Sequence, residues 1–203
     1  MLRVALQIGS RGRKMSEYQD STAQLRAAYD GIEPDLRFRD EVPALHACRL
    51  ALNALAGGGY GVGALVMSEE HRIFAEGRNH LFGDALDSAG HAEMRALDTL
   101  ESLDEEHPPP CELSLLVTLE PCPMCLTRIL YAGTGEVIYI NADDEGGMVQ
   151  RRELLPPAQR ELANITRFRV VEVSEPVREL AARLSVAQLE QKRQALMAAQ
   201  GRV

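Results

Sequence analysis

The sequence predicts a three-layer α/β/α domain built on a five-stranded mixed sheet, and three observations carry that expectation. Short apolar runs of strand length alternate with helix-period segments between Pro43 and Val173. The later connections are long enough to cross over, as parallel neighbours require. The chain has 203 residues, 45% of them hydrophobic, which suits one substantial core better than two.

Residues 1–42 read as an N-terminal arm and helical leader, 43–175 as the main domain, and 176–203 as a C-terminal helical tail packed on it. Residues 16–29 have helical composition, and Gly31, Pro34 and Pro43 then break the pattern. In 43–56 the apolar Ala44, Leu45, Cys48, Leu52 and Leu55 recur at spacings of three and four before Gly57 ends the helix. Residues 61–67 and 72–76 form a predicted hairpin around the charged turn 68–71. A second helix follows over 91–103, stopped by Pro108, Pro109 and Pro110, and 112–118 reads as a buried strand. Residues 122–132 are helical with Gly133 as the cap, and 136–140 and 167–173 complete the sheet. Beyond Pro176 the apolar phase changes, and Ser185 with Gln188 makes a capping-box pattern, so the tail is expected to break near Ser185.

Composition removes several classes. No apolar run approaches the roughly 20 residues of a membrane helix, and the run 4–8 is shorter than a secretory core of about 7–15 residues. The arm before Met15 carries Arg3, Arg11, Arg13 and Lys14 and no acid. Thirty acidic against 22 basic side chains give a net charge of -8, which repels polyanions and disfavours tRNA as partner. Of four cysteines two lie in a Cys-x-x-Cys, so a reducing cytoplasm is expected, with Cys48 and Cys111 as buried thiols.

The chemistry concentrates in four residues. Cys122 and Cys125 stand three apart, so on one helical face they can hold a single ion. Pro121 suits the helix entrance, whose unpaired N–H groups favour thiolates. His91 opens another helix and offers a nitrogen. Three protein ligands and an open fourth position are the catalytic zinc arrangement, whereas a structural zinc has four. Cys111, His107 and His80 have no partner at ligand spacing. Two thiolates cancel the charge of the ion and weaken it as a Lewis acid, so a base is required. Glu93, two residues after His91, fits as a proton carrier that is not a ligand. One zinc ion per chain is expected, acting on an amidine-like ring carbon, with ammonia leaving and a carbonyl remaining. Small residues around Gly63 permit close approach of a flat ring, which makes Gly63 a candidate pocket wall.

The strings His91-Ala92-Glu93 and Thr118-Leu119-Glu120-Pro121-Cys122-Pro123-Met124-Cys125 resemble those of the cytidine and deoxycytidylate deaminase superfamily, and the second is similar to tRNA adenosine and guanine deaminases. The resemblance covers residues 43–173. It implies the cytidine-deaminase-like fold, a zinc hydrolase acting on cyclic C–N bonds, and a homodimer. It also implies that Asn79 and Ala92 meet the substrate, a turn asparagine being the alternative for Asn79. Asp87 matches an aspartate four residues before the histidine, but Ser88 and Gly90 replace the usual Pro and Ala or Thr. Asp143 sits where relatives keep an aspartate, the alternative being a solvated loop acid.

The expected substrate is a small aminated nucleobase, nucleoside or related heterocycle. Deamination of adenosine in tRNA is the other enzymatic reading, drawn from the second string and from Arg178, Arg183, Lys192, Arg193 and Arg202 in the tail. A zinc-bearing but catalytically silent subunit, binding RNA or a partner, is a third, and the presence of Glu93 argues against it.

Overall fold

Every central strand alternates side chains between two apolar layers, which is why the strands read as nearly continuous hydrophobic runs. A computed structural model of the chain describes residues 20–82 and 85–202. The arm before residue 20 and the start of the expected 16–29 helix lie outside the described residues, as does Asp84 in the loop ahead of His91.

The described elements run in chain order as α1 (Thr22–Asp30), α2 (Glu41–Ala56), β1 (Gly63–Met67), β2 (Ile73–Arg78), α3 (Ala92–Glu101) and β3 (Ser114–Leu119). There follow α4 (Pro123–Ala132), β4 (Glu136–Asn141), α5 (Pro157–Ile165), β5 (Arg167–Val170), α6 (Glu175–Val186) and α7 (Leu189–Ala199). The sheet order is β2-β1-β3-β4-β5. β1 is antiparallel to β2 and β3, while β3, β4 and β5 are mutually parallel. The mixed five-stranded sheet with helices on both sides is the architecture the sequence predicts.

One layer buries Leu65, Met67, Leu116, Ile138 and Ile140 against Leu52 of α2 and Val177 and Leu184 of α6. The other buries Ala64, Val66, Leu115, Val117 and Val137 against Leu97 of α3 and Leu126 and Ile129 of α4. α1 opens on a capping box in which the Ser21 hydroxyl accepts from the Gln24 amide and the Gln24 side chain accepts from the Ser21 amide. Among the described residues no helix is long and apolar enough to cross a membrane.

Three details differ from the sequence reading. α5 is absent from it, because this nine-residue helix starts at a Pro-Pro step and buries only Ala163. The tail breaks at Gln188, which takes a left-handed conformation with φ 57°, and Ser185 does not cap α7 but donates to the Ala182 carbonyl within α6. Cys48 is buried, its thiol pushed up to about 12 by desolvation, but Cys111 is exposed. It lies in the 3-10 turn Pro110–Glu112, whose prolines hold it out of the apolar layers.

Gly77 sets the distance between β2 and α3. A Cβ there would collide with the Ala92 carbonyl oxygen and the Ala96 amide. Gly77→Ala is therefore expected to cost about 2–3 kcal/mol by overpacking, and to lower Tm by about 4–12 °C in a chain of this size. A thermal melt checks this, and an unchanged Tm would show that α3 can shift freely.

Candidate metal centre

Two helix N-termini converge on one point. His91 is the N-cap of α3 with φ −79° and ψ 152°, and Cys122 is the N-cap of α4 with φ −71° and ψ 170°. The His91 ring does not cap its own helix, and the Cys122 sulfur accepts from Cys125 in the first turn of α4, so the two cap side chains meet at one point. The ligand spacing of Cys122 and Cys125 thus works through a cap and the first turn, not through two positions of one continuous helix. Pro123 occupies the first turn of α4, where a missing N–H removes no bond.

Among the described residues, His91, Cys122 and Cys125 are the group placed to hold a metal, their ligand atoms lying within 4.8 Å of one another. His91 Nδ1 is 3.7 Å from Cys122 Sγ and 3.4 Å from Cys125 Sγ. Zn–S near 2.3 Å and Zn–N near 2.0–2.1 Å at a tetrahedral angle require an N···S separation of about 3.6 Å. The observed pair brackets it, so the three side chains are positioned to bind one zinc ion.

The electrostatics agree with that donor set. The Cys122 thiol is pulled down to about 4, first by a hydrogen bond from Cys125 and then by His91. Cys125 is pushed up by donating to Cys122 and by burial. His91 is raised above the usual imidazole range because its ring bonds Cys122. Glu93 is only 4% exposed, and burial holds its carboxyl above the usual carboxylate range. It also interacts with Cys125 directly. A buried carboxyl beside the ligand cluster but outside it is suited to accepting and returning a proton near neutral pH.

The remaining sequence candidates divide. Asn79 is 4% exposed, and its Oδ1 accepts from the Tyr60 and Leu81 amides at 3.0 and 3.2 Å. Both the turn role and the pocket role are therefore compatible with it: the oxygen orders the loop, while no partner of the amide nitrogen occurs among the described residues. The Ala92 side chain is fully buried between α3 and the sheet, and its carbonyl oxygen faces Gly77 of β2. Gly63 lets β1 approach α2: the room left by its missing side chain is filled by Leu50 and Ala51, in the layer opposite α3 and α4. Its backbone amide donates to Thr118 Oγ1 at 3.3 Å. Asp143 is a loop-builder, its Oδ1 accepting from the Glu145 and Gly146 amides. Asp87 shapes the approach to His91 by accepting from the Ala89 amide and pairing with Arg95 of α3. Gly90 is required there, because a Cβ would sit 2.6 Å from the His80 carbonyl oxygen.

One residue of the site escaped sequence reading. Glu120 precedes Pro121 and Cys122, is 3% exposed, and gathers hydrogen bonds from residues 143 and 150. It stood in the sequence only as part of a matching string. A buried acid next to a Pro-Cys step was the available signal, and its partners were too distant in sequence to pair with it.

A family model described as the cytidine and deoxycytidylate deaminase zinc-binding region matches residues 38–141. Two tRNA(Ile)-lysidine synthases are similar in sequence, 39% identical in Deinococcus radiodurans and 38% in Deinococcus deserti, each over 87 residues. That stretch is 42% of this chain but 14% and 16% of theirs, so the match spans a small part of the length of these curated relatives. Among solved structures, one from a study of A-to-I editing by tRNA:A34 deaminases is 25% identical with TM-score 0.54, covering 66% of this chain and 94% of that one. A guanine deaminase from Nitrosomonas europaea shares the fold at 19% identity and TM-score 0.54, over 91% of this chain and 96% of that one.

Proposed function

Because this chain belongs to the cytidine and deoxycytidylate deaminase zinc-binding family, we propose that it hydrolytically deaminates a free aminated nucleobase, nucleoside or related heterocycle, releasing ammonia and an oxo product. The observation that carries the reading is the His91, Cys122 and Cys125 cluster with the buried Glu93 carboxyl against it.

His91, Cys122 and Cys125 would hold a zinc ion, which when bound would supply Lewis acidity toward a water molecule. Glu93 takes the proton of the attacking water and passes protons to the ring nitrogen and the departing amine. Burial keeps the carboxyl easy to protonate, so it can return what it accepts. The N-termini of α3 and α4 stabilise negative charge at the same point. The amide nitrogen of Asn79, which has no partner among the described residues, and the N-terminal backbone of α3 at Ala92 are the groups offered to the ring.

One feature supports a small substrate. The chain carries a net charge of -8, which repels a polyanion. α7 is tied to both flanks of the site: Lys192 Nζ donates to the Gly58 carbonyl beside the turn that holds Asn79, and Arg193 pairs with Glu145 in the loop containing Asp143. The second reading, adenosine in tRNA, is favoured by the tRNA:A34 deaminase likeness, which takes in 94% of that chain. A homodimer belongs to the proposal, as the family resemblance implies, and so does a cytoplasmic location, which rests on the cysteine usage.

The test is ammonia release by the zinc-loaded protein from a panel of aminated bases, nucleosides, nucleotides and tRNA. Turnover of a free heterocycle is expected. Turnover confined to tRNA and falling steeply with salt would replace it with the second reading, and no turnover on any of them would leave the silent-subunit reading.

A further inference from the structure

The segment that delivers Cys122 is short, and α4 has no side-chain cap of its own, so the position of its N-terminus is set by what precedes it. The Glu120 amide donates to the Asn141 carbonyl at 2.8 Å, and the Pro121 carbonyl accepts from the Met148 amide at 2.9 Å. The Glu120 carboxylate accepts from the Asp143 amide at 3.0 Å, the Gln150 amide at 2.8 Å and Gln150 Nε2 at 3.0 Å. Gly147 presses on this carboxylate, since a Cβ there would lie 2.5 Å from Glu120 Cδ. One buried acid thus ties the metal-ligand turn to the loop after β4. That loop in turn carries Glu145, the partner of Arg193 on α7.

We propose that Glu120 is a positioning residue of the metal centre: its carboxylate locks the 143–150 loop to the Pro121–Cys122 turn, so that the Cys122 sulfur and that wall of the site hold one geometry. The physical basis is satisfaction of a buried charge. A carboxylate at 3% exposure is tolerated only with its lone pairs occupied, and the three donors come from the loop it organises. The dependence runs both ways, because the Asp143 and Gln150 amides lose their acceptor if the carboxylate is lost. The proposal rests on the deaminase reading for its effect on turnover alone; metal affinity and loop order do not depend on which substrate is used.

Glu120→Gln is nearly isosteric but turns one oxygen into a donor that faces other donors. Zinc affinity, measured by competition with a chromophoric chelator, is expected to fall about tenfold, as when a group supporting a ligand is removed. Hydrogen exchange at the Asp143 and Gln150 amides is expected to quicken. Cobalt in place of zinc reports the same change, as altered visible absorption bands. Adding Gln150→Glu to Glu120→Gln gives the new amide an acceptor, and zinc affinity is expected to recover in part. A folded Glu120→Gln protein with wild-type zinc affinity and unchanged exchange over 143–150 overturns the proposal. If Glu120→Gln does not fold, Gln150→Ala decides: it removes one of the three bonds, and unchanged affinity and exchange there overturn it equally. A wild-type protein that deaminates nothing, yet shows these losses on substitution, would sink the deaminase reading and leave the positioning role standing.

Discussion

Glu93→Ala is expected to keep the fold and bind zinc while ammonia release falls by about 10³-fold, the usual worth of a well-placed general acid–base group. Glu93 is outside the donor set of His91, Cys122 and Cys125, so its removal takes away no ligand. What goes is the group that moves protons between water, ring and amine. Glu93→Gln sharpens the test, since it keeps the volume and cannot titrate. Its stability effect has a definite sign. The folded carboxyl is raised by burial, so ionised Glu93 costs stability as pH rises through that raised value. The metal-free Glu93→Gln chain is therefore expected to be at least as stable as wild type at neutral pH, by thermal melting. Turnover within about tenfold of wild type in Glu93→Ala would remove the residue from the proton path.

Removing the metal, by chelation or by Cys122→Ala, is expected to abolish turnover entirely, and zinc return is expected to restore it in the chelated wild type alone. Loading is also expected to release protons. Cys122 already ionises at about 4, so it gives up none near neutral pH. Cys125 is held protonated by its bond to Cys122, and His91 is raised, so zinc displaces a proton from the first and a fraction of one from the second. The sign follows: protons compete with the ion, and zinc affinity falls as pH falls. Calorimetry in buffers of different ionisation enthalpy measures the release. Zinc binding without proton release would contradict the thiol assignment.

Much of the site was legible because its chemistry restricts residue type more than position. A histidine, a glutamate two residues on and a Pro-Cys-x-x-Cys leave few alternatives once they occur together. The same holds for the strand and helix order, since β3 and β4 are short apolar runs bounded by Pro and Gly. Legibility ended where partners lie far apart in sequence. The close approach of α2 to Gly63 was not visible, because Leu50 and Ala51 meet it only through the packing of α2 on the sheet. Cys111 looked buried and is held at the surface by the turn around it.

The sequence by itself determined the donor set, the layer architecture and the charge that disfavours a polyanionic partner, because each depends on residue type and local period. Only the tertiary structure decided that His91 and Cys122 are caps of two converging helices, that α7 is tied to Gly58 and Glu145, and that Glu120 is clasped by residues 143 and 150. These depend on packing and on where buried polar groups find partners, and such contacts leave no periodic trace along the chain.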